Sequence, residues 1–398
     1  MIFLTPWFWG FFALVLPVHF IVQRRKARLF WILLTSVVFQ AYFAGLRGLP
    51  PIIALELITY FAALRFSNGG SRRWLHAAIA ANVGALVFFK YLDFLSGYLF
   101  SLIGMRPHGS SILVSLRLPI PLGISFFVFE FVHYLVEVDR GMKPARSWLR
   151  FWAFASFFPS LVSGPIKRFP DFDRQLDDLP RPDSSDALAG AQRMVVGAFK
   201  KIVLAEPCHA FAVWFVANPG RFPLSTLLVA LSLQIYFDFA GYSDIAIGVS
   251  RSMGLIVPEN FENPYGGRNI SEFWRRWHMS LSTWIRDYIY IPLGGNRVPL
   301  WRKILNGAIA MFLCGLWHGA ALHFGLWGLW HALLLSVHGG VVRLRERLSI
   351  RSDALVARAA SIGYHAFTVA AVAGGWLLFF FDLPTISQIL AKTPRLLW

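Results

Sequence analysis

Roughly eleven apolar runs set the terms for this chain, because a helix needs about 20 apolar residues to cross the hydrocarbon core of a bilayer. They cover residues 3–22, 29–44, 51–66, 75–102, 119–138, 148–162, 194–216, 224–249, 304–316, 324–342 and 361–381. Only 15% of the 398 residues are charged and 56% are hydrophobic, whereas soluble domains carry roughly 25% charged residues. The chain reads as an all-α polytopic membrane protein. Several runs are too short or too broken to cross cleanly. They are predicted to be re-entrant and packed inside the protein, where irregular backbone is tolerated at membrane depth.

The formal charge of +17 at pH 7 follows the same plan, since the basic residues cluster between apolar runs rather than over a soluble nucleic-acid-binding face. QRRKAR at 23–28, SRRW at 71–74 and DRGMKPAR at 139–146 follow the first, third and fifth runs. Odd-numbered spans should therefore end in the cytoplasm, with the N-terminus outside. The first run has no basic residue ahead of it and no small-residue cleavage site, so it is expected to be a retained span rather than a signal peptide. Cys208 and Cys314 suggest neither a disulfide framework nor a CxxC metal site. Residues 163–187 are rich in Pro and charge, which predicts an extramembrane loop. That loop divides a simpler N-terminal half from a polar-studded half whose motifs fall at about 224–342. A single domain, 1–398, is expected, because each half needs the other to cover its polar faces.

Within the apolar stretches two histidines stand out, His278 in FWRRWHMSLSTWIRDYIYIPLGGNR and His318 in GLWHG. A titratable side chain in such company marks a candidate functional site. From Ile270 to Tyr288 the apolar and aromatic residues recur at i, i+3, i+4 and i+7, with Glu272, Arg275, Arg276, Ser282 and Arg286 largely off the stripe. That pattern fits an interfacial helix anchored by Trp, and equally a helix whose polar face lines a cavity. His278 lies at the margin of the stripe, and PLGGNR ends the helix. Gly315 and Gly319 leave room beside His318 for a ligand or another backbone. A neutral imidazole can take the proton of an attacking alcohol without a metal, while a structural imidazole would bond a carbonyl or a neighbouring helix. There is no GxxxxGK[ST] loop and no HExxH, so nucleotide hydrolysis and metal ligation have no support.

The remaining polar residues read as packing or pairing groups. His331 and His338, seven apart, suit an apolar helix face, and His19, His76, His108, His209, His323 and His365 have no convergent partners in sequence. Glu130, His133, Tyr134 and Glu137 share one face of the fifth run, and Asp238 and Tyr242 lie one turn apart, with Asp244 on another side. Pairing with Arg elsewhere is one reading of these groups. A proton or ion path is the other.

PLGISFFVFEFVHYLVEVDRG, FFPSLVSGPIKRF, QIYFDFAGYSDIAIGVSRSMGLIVPENFENPY, FWRRWHMSLSTWIRDYIYIPLGGNR and GLWHGAALHFGLWGLWH together resemble the membrane-bound O-acyltransferase (MBOAT) family, in its bacterial branch of alginate O-acetylation and teichoic acid D-alanylation proteins. The resemblance runs from about residue 3 to 338. It implies a bundle of roughly eleven transmembrane and re-entrant helices around a central funnel, in the bacterial cytoplasmic (inner) membrane. It also implies a catalytic histidine at His318 and a second family histidine at His278. Members pass an acyl group from a cytoplasmic thioester towards a hydroxyl of an envelope glycopolymer, often through a periplasmic partner. The resemblance therefore implies no tightly bound cofactor. Acetyl-CoA or an acyl-carrier thioester would serve as donor substrate, and the partners would be membrane lipid, a polysaccharide acceptor, and either a periplasmic esterase-like acyltransferase or an acyl carrier protein. Arg268, Arg275, Arg276 and Arg286 would then attract a phosphorylated donor, with Asp287, Asp238 and Tyr242 as further candidate binding residues. QIYFDFAGYSD and DYIYIPLGGNR are similar to the alginate branch, whereas a chain ending at Trp398 is similar to the D-alanylation branch. A transporter or flippase is the rival of another class, since broken helices and intramembrane charge suit it equally.

Overall fold

The computed structural model describes residues 2–102, 120–179, 182–348 and 354–393. His108 and Pro119, singled out above, lie outside the described residues. All regular structure among the described residues is helical. Six helices are long and apolar enough to cross a membrane: Arg25–Ala44, Leu46–Ser67, Arg73–Phe100, Leu224–Ser252, Leu322–Arg347 and Ala360–Phe380. They correspond to six of the apolar runs. Four of the other five runs fall short for simple reasons of helix length. The first helix, Pro6–Ile21, has 16 residues, starts on a proline and is capped by the Thr5 hydroxyl, which accepts from the Phe8 N–H. Ile124–Asp139 also has 16 residues. The run 148–162 is divided between the eight-residue helix Trp148–Ala155 and a single 3-10 turn at Phe158–Ser160, so it is too short to span. The run 194–216 is divided between Ser184–Phe199 and Glu206–Ala217, with a wider turn at Lys200–Ala205 between them.

The chain forms two compact units, Met1–Gly197 with Tyr242–Pro258, and Ala198–Gly241 with Glu259–Trp398. The first is packed around aromatic residues, Phe8, Phe39, Phe131, Phe151, Phe154 and Phe158 among them, all fully buried. Several of its buried polar groups are paired. Lys167, 2% exposed, donates to Glu130 and to the Ser160 hydroxyl, both at 2.6 Å. His133 Nε2 accepts from the Phe169 N–H at 2.9 Å, and the Tyr134 hydroxyl accepts from the Ala145 N–H at 2.9 Å. Arg140 pairs with Glu137, and Arg193 with Asp244. The shared face of the fifth run is thus occupied by pairing partners, and Glu130's partner is a lysine rather than the expected arginine.

The expected loop at 163–187 is not a plain loop. It contains the helix Phe169–Asp178, whose Phe169, Phe172 and Leu176 are buried while its Asp173 and Asp177 grip Arg150. Pro170 does not break this helix, because proline in the first turn lacks only an N–H that would be unpaired anyway.

Candidate active site

Both singled-out histidines belong to the second unit, and the local chain explains their settings. The stripe at 270–288 does not form one helix. Asn269 caps Ile270–Arg276 by accepting from the Glu272 N–H at 2.9 Å, and Glu272 accepts from the Arg268 N–H at 2.9 Å, an arrangement similar to a capping box. That bond, and then the surrounding arginines, hold the Glu272 carboxyl below its usual range. A second helix starts afresh at Met279–Ile285. Between them His278 adopts φ 42° and ψ 54°, in the left-handed region that few non-glycine residues enter.

This break drives the imidazole inward. His278 is 1% exposed, with the Phe239 ring 4.6 Å away and edge-on, and the Trp317 ring at 5.9 Å. Among the described residues neither of its ring nitrogens has a hydrogen-bond partner. Burial, and secondarily the nearby His318, hold it well below the ordinary imidazole value, so it is neutral. A neutral imidazole carries one N–H and one lone pair, and leaving such groups unmatched inside a protein costs about 1–3 kcal/mol each.

His318 ends the helix Leu300–His318 and is only half-buried. Trp317 lies 4.8 Å from it, Phe379 5.0 Å and Trp327 5.3 Å, the last perpendicular to the imidazole. Trp317 is thus a common neighbour of both histidines. The flanking glycines serve packing. A Cβ on Gly315 would strike the Phe324 carbonyl, and one on Gly319 would strike the Phe324 ring. The space at these glycines is therefore filled by the following helix, Leu322–Arg347, and not by a ligand. Trp327 and His331 project from that helix. His331 is fully buried, and its Nδ1 accepts from the Trp274 indole at 3.3 Å.

A cavity of about 470 Å³ opens beside this aromatic cluster. Its buried lining is apolar or weakly polar, with Trp274, Ile285, Ala310, Met311 and Cys314, and its more open lining is basic, with Arg275, Arg286, Lys303 and Arg343. His338, bonded to the Tyr364 hydroxyl at 2.8 Å, also lines it. Lys303 and Arg343 have no carboxylate partner among the described residues, and burial together with Arg343 lowers the Lys303 ammonium from its ordinary value. Unneutralised cations facing one cavity form an anion site. Neither His278 nor His318 lines the cavity, although Met279, next to His278, and Cys314, one turn before His318, both do.

The other expected residues are dispersed. Arg275 and Arg286 reach the cavity, and Arg286 also pairs with Asp287 at 2.7 Å. Arg276 is not among the lining residues, though its carbonyl accepts from the Glu262 N–H. Asp238 pairs with Lys201. Tyr242 belongs to the first unit, where its ring stacks on Phe3 at 4.7 Å. Lys303 and Arg343 escaped the sequence reading because each sits at the edge of an apolar run, where a lone cation reads as an end marker.

A buried and a half-buried imidazole near a cavity lined by basic side chains, in a helical protein with six helices long enough to cross a membrane, is an arrangement suited to acid–base group transfer. Residues 143–372 match the membrane-bound O-acyltransferase family, and the chain belongs to it. It is an O-acyltransferase, which sets aside the transporter reading. Among its relatives is the probable alginate O-acetylase AlgI of Pseudomonas putida, 35% identical over 384 residues, covering 93% of this chain and 76% of that protein. The peptidoglycan O-acetyltransferase of Helicobacter pylori is 34% identical over 377 residues, covering 85% of this chain and 70% of the relative. The teichoic acid D-alanyltransferase of Bacillus subtilis is 33% identical over 238 residues, covering 54% and 58%.

Proposed function

We propose that this chain passes an acetyl group from a cytoplasmic thioester to hydroxyls of an envelope polysaccharide, in an alginate-type or similar O-acetylation. The observation that carries the reading is the pair itself: a half-buried His318 beside a buried His278 whose two ring nitrogens are unmatched among the described residues. His318 acts as general base. It takes the proton of the acceptor hydroxyl as that oxygen attacks the thioester carbonyl, the C–S bond breaks, and the proton passes to the departing sulfur. His278 positions the carbonyl or the acceptor by hydrogen bonding from its sealed pocket.

The donor lies in the cavity, with its anionic end against Arg275, Arg286, Lys303 and Arg343 and its acyl end towards Cys314 and Met279. Acetyl-CoA and a carrier-bound thioester both present such an anion. The named activities of the Pseudomonas and Helicobacter relatives support acetyl transfer to a polysaccharide, and the family resemblance implies a periplasmic esterase-like partner that completes it. The basic loops after the first, third and fifth runs support a bacterial cytoplasmic-membrane protein with its N-terminus outside. On this reading the first and fifth runs cross the membrane, and several of the other short runs are re-entrant or packed elements. The Bacillus relative supports D-alanyl transfer from a carrier protein as the rival.

The test incubates purified protein with labelled acetyl-CoA or with a D-alanyl-charged carrier. Acetyl consumption by the wild-type chain, abolished in His318→Ala at unchanged membrane insertion, is the expected result. Consumption of D-alanine alone selects the rival, and near-wild-type transfer by His318→Ala removes the base assignment.

A further inference from the structure

We infer that Asn260 is a positioning residue for acyl transfer and acts through His278. The inference rests on the placement of His278 in the reaction centre proposed above. A side chain with a Cβ is sterically disfavoured in the left-handed region, so the φ of 42° at His278 has to be held from outside.

Asn260 supplies that hold. Its carbonyl accepts from the Met279 N–H at 2.9 Å, and its side-chain Oδ1 accepts from the Ser280 hydroxyl at 2.6 Å. One residue thereby grips both positions that follow His278, by its main chain and by its side chain. On the other side of the break the Glu262 N–H donates to the Arg276 carbonyl at 3.0 Å. Between the two grips Phe261 sets its ring 5.1 Å from Trp277 and 6.5 Å from His278. Asn260 is 0% exposed and Ser280 6%, so water does not compete for these bonds.

The residues from Ile270 to Ile285 carry the apolar spacing of one continuous helix, and the short segment 260–262 prevents it. With that segment slack, His278 would return to helical φ and its imidazole would swing away from Phe239 and Trp317. Strained backbone persists where the surroundings over-determine it, and it clusters at active sites. Here the over-determining group is a buried amide eighteen residues upstream.

Asn260→Leu keeps the branching and number of side-chain heavy atoms and removes the side-chain acceptor, Asn260→Asp keeps that acceptor, and Ser280→Ala removes the donor of the same bond. Each is compared with the wild-type full chain in initial-rate assays over a range of donor concentrations, using labelled acetyl-CoA, or a D-alanyl-charged carrier where the wild-type chain consumes only that. Asn260→Leu and Ser280→Ala are expected to lower kcat by about tenfold or more, because small misplacements near the chemistry can cost about 100-fold. Their donor KM stays within about twofold, and Asn260→Asp retains kcat within about threefold.

The inference is overturned by a kcat within about threefold of wild type in both Asn260→Leu and Ser280→Ala, by a KM that rises as kcat falls, or by Asp acting as badly as Leu. Where Asn260→Leu does not fold, Ser280→Ala decides alone. His318→Ala and His278→Ala in the same assay separate the two levels. If both keep the wild-type rate, the reaction-centre reading fails and this inference with it. If both lose activity while Asn260→Leu and Ser280→Ala do not, only the role of Asn260 fails.

Discussion

His278 is held neutral by its burial, and that has a measurable sign. An imidazole in an unfolded chain titrates near 6.5, whereas the buried ring lies well below. Under pH 6.5 the unfolded chain therefore binds a proton that the folded chain refuses. The folded state loses stability as pH falls from 6.5 towards the folded value, by up to about 1.4 kcal/mol per pH unit, and nothing changes above 6.5. Replacing His278 by Asn, which also tolerates φ above zero, should lessen the acid slope of stability by up to one proton, read from melting curves between about pH 7.5 and 5. An unaltered slope would mean that this imidazole is charged in the folded protein. The sequence alone marks His278 by its aromatic company. It does not give the left-handed conformation, because that depends on hydrogen bonds donated to Asn260 and not on the residue types in the stripe.

Among the helices, the pairing of Leu300–His318 with Leu322–Arg347 is set by glycines that bring main chains together. A Cβ on Gly328 would strike the Met311 carbonyl, and one on Gly315 the Phe324 carbonyl, and no rotamer change relieves a main-chain clash. Gly328→Ala is expected to destabilise the protein by about 1–3 kcal/mol and to lower activity by shifting His318. Gly340→Ala, on the same helix with nothing within 4 Å, should instead stabilise it by about 0.5–1 kcal/mol. Equal effects in thermal melts would count against the glycine seam. The six long helices are legible in the sequence, since uninterrupted apolar length is a direct signal. The short ones are not. The run at 148–162 is apolar because it is buried in its own unit, and Phe169–Asp178 is disguised by the charges and prolines around it.

For the whole molecule, the net charge of +17 is more than a marker of topology. Part of it faces the cavity through residues such as Lys303 and Arg343, forty positions apart, which no local pattern connects. Lys303→Glu or Arg343→Glu should raise donor KM by about tenfold or more with little change in kcat, the mark of lost ground-state binding. Added salt should act in the same direction by screening. A KM insensitive to both would place the anionic donor elsewhere. One helix carries both Lys303 and His318, and fifteen residues of α-helix span about 22 Å. Leu300–His318 would then act as a ruler: an anion held at Lys303 and a carbonyl presented to His318 belong to one substrate only if a slender arm of that reach joins them, so on the proposed reading the donor is selected by length as well as by its acyl group.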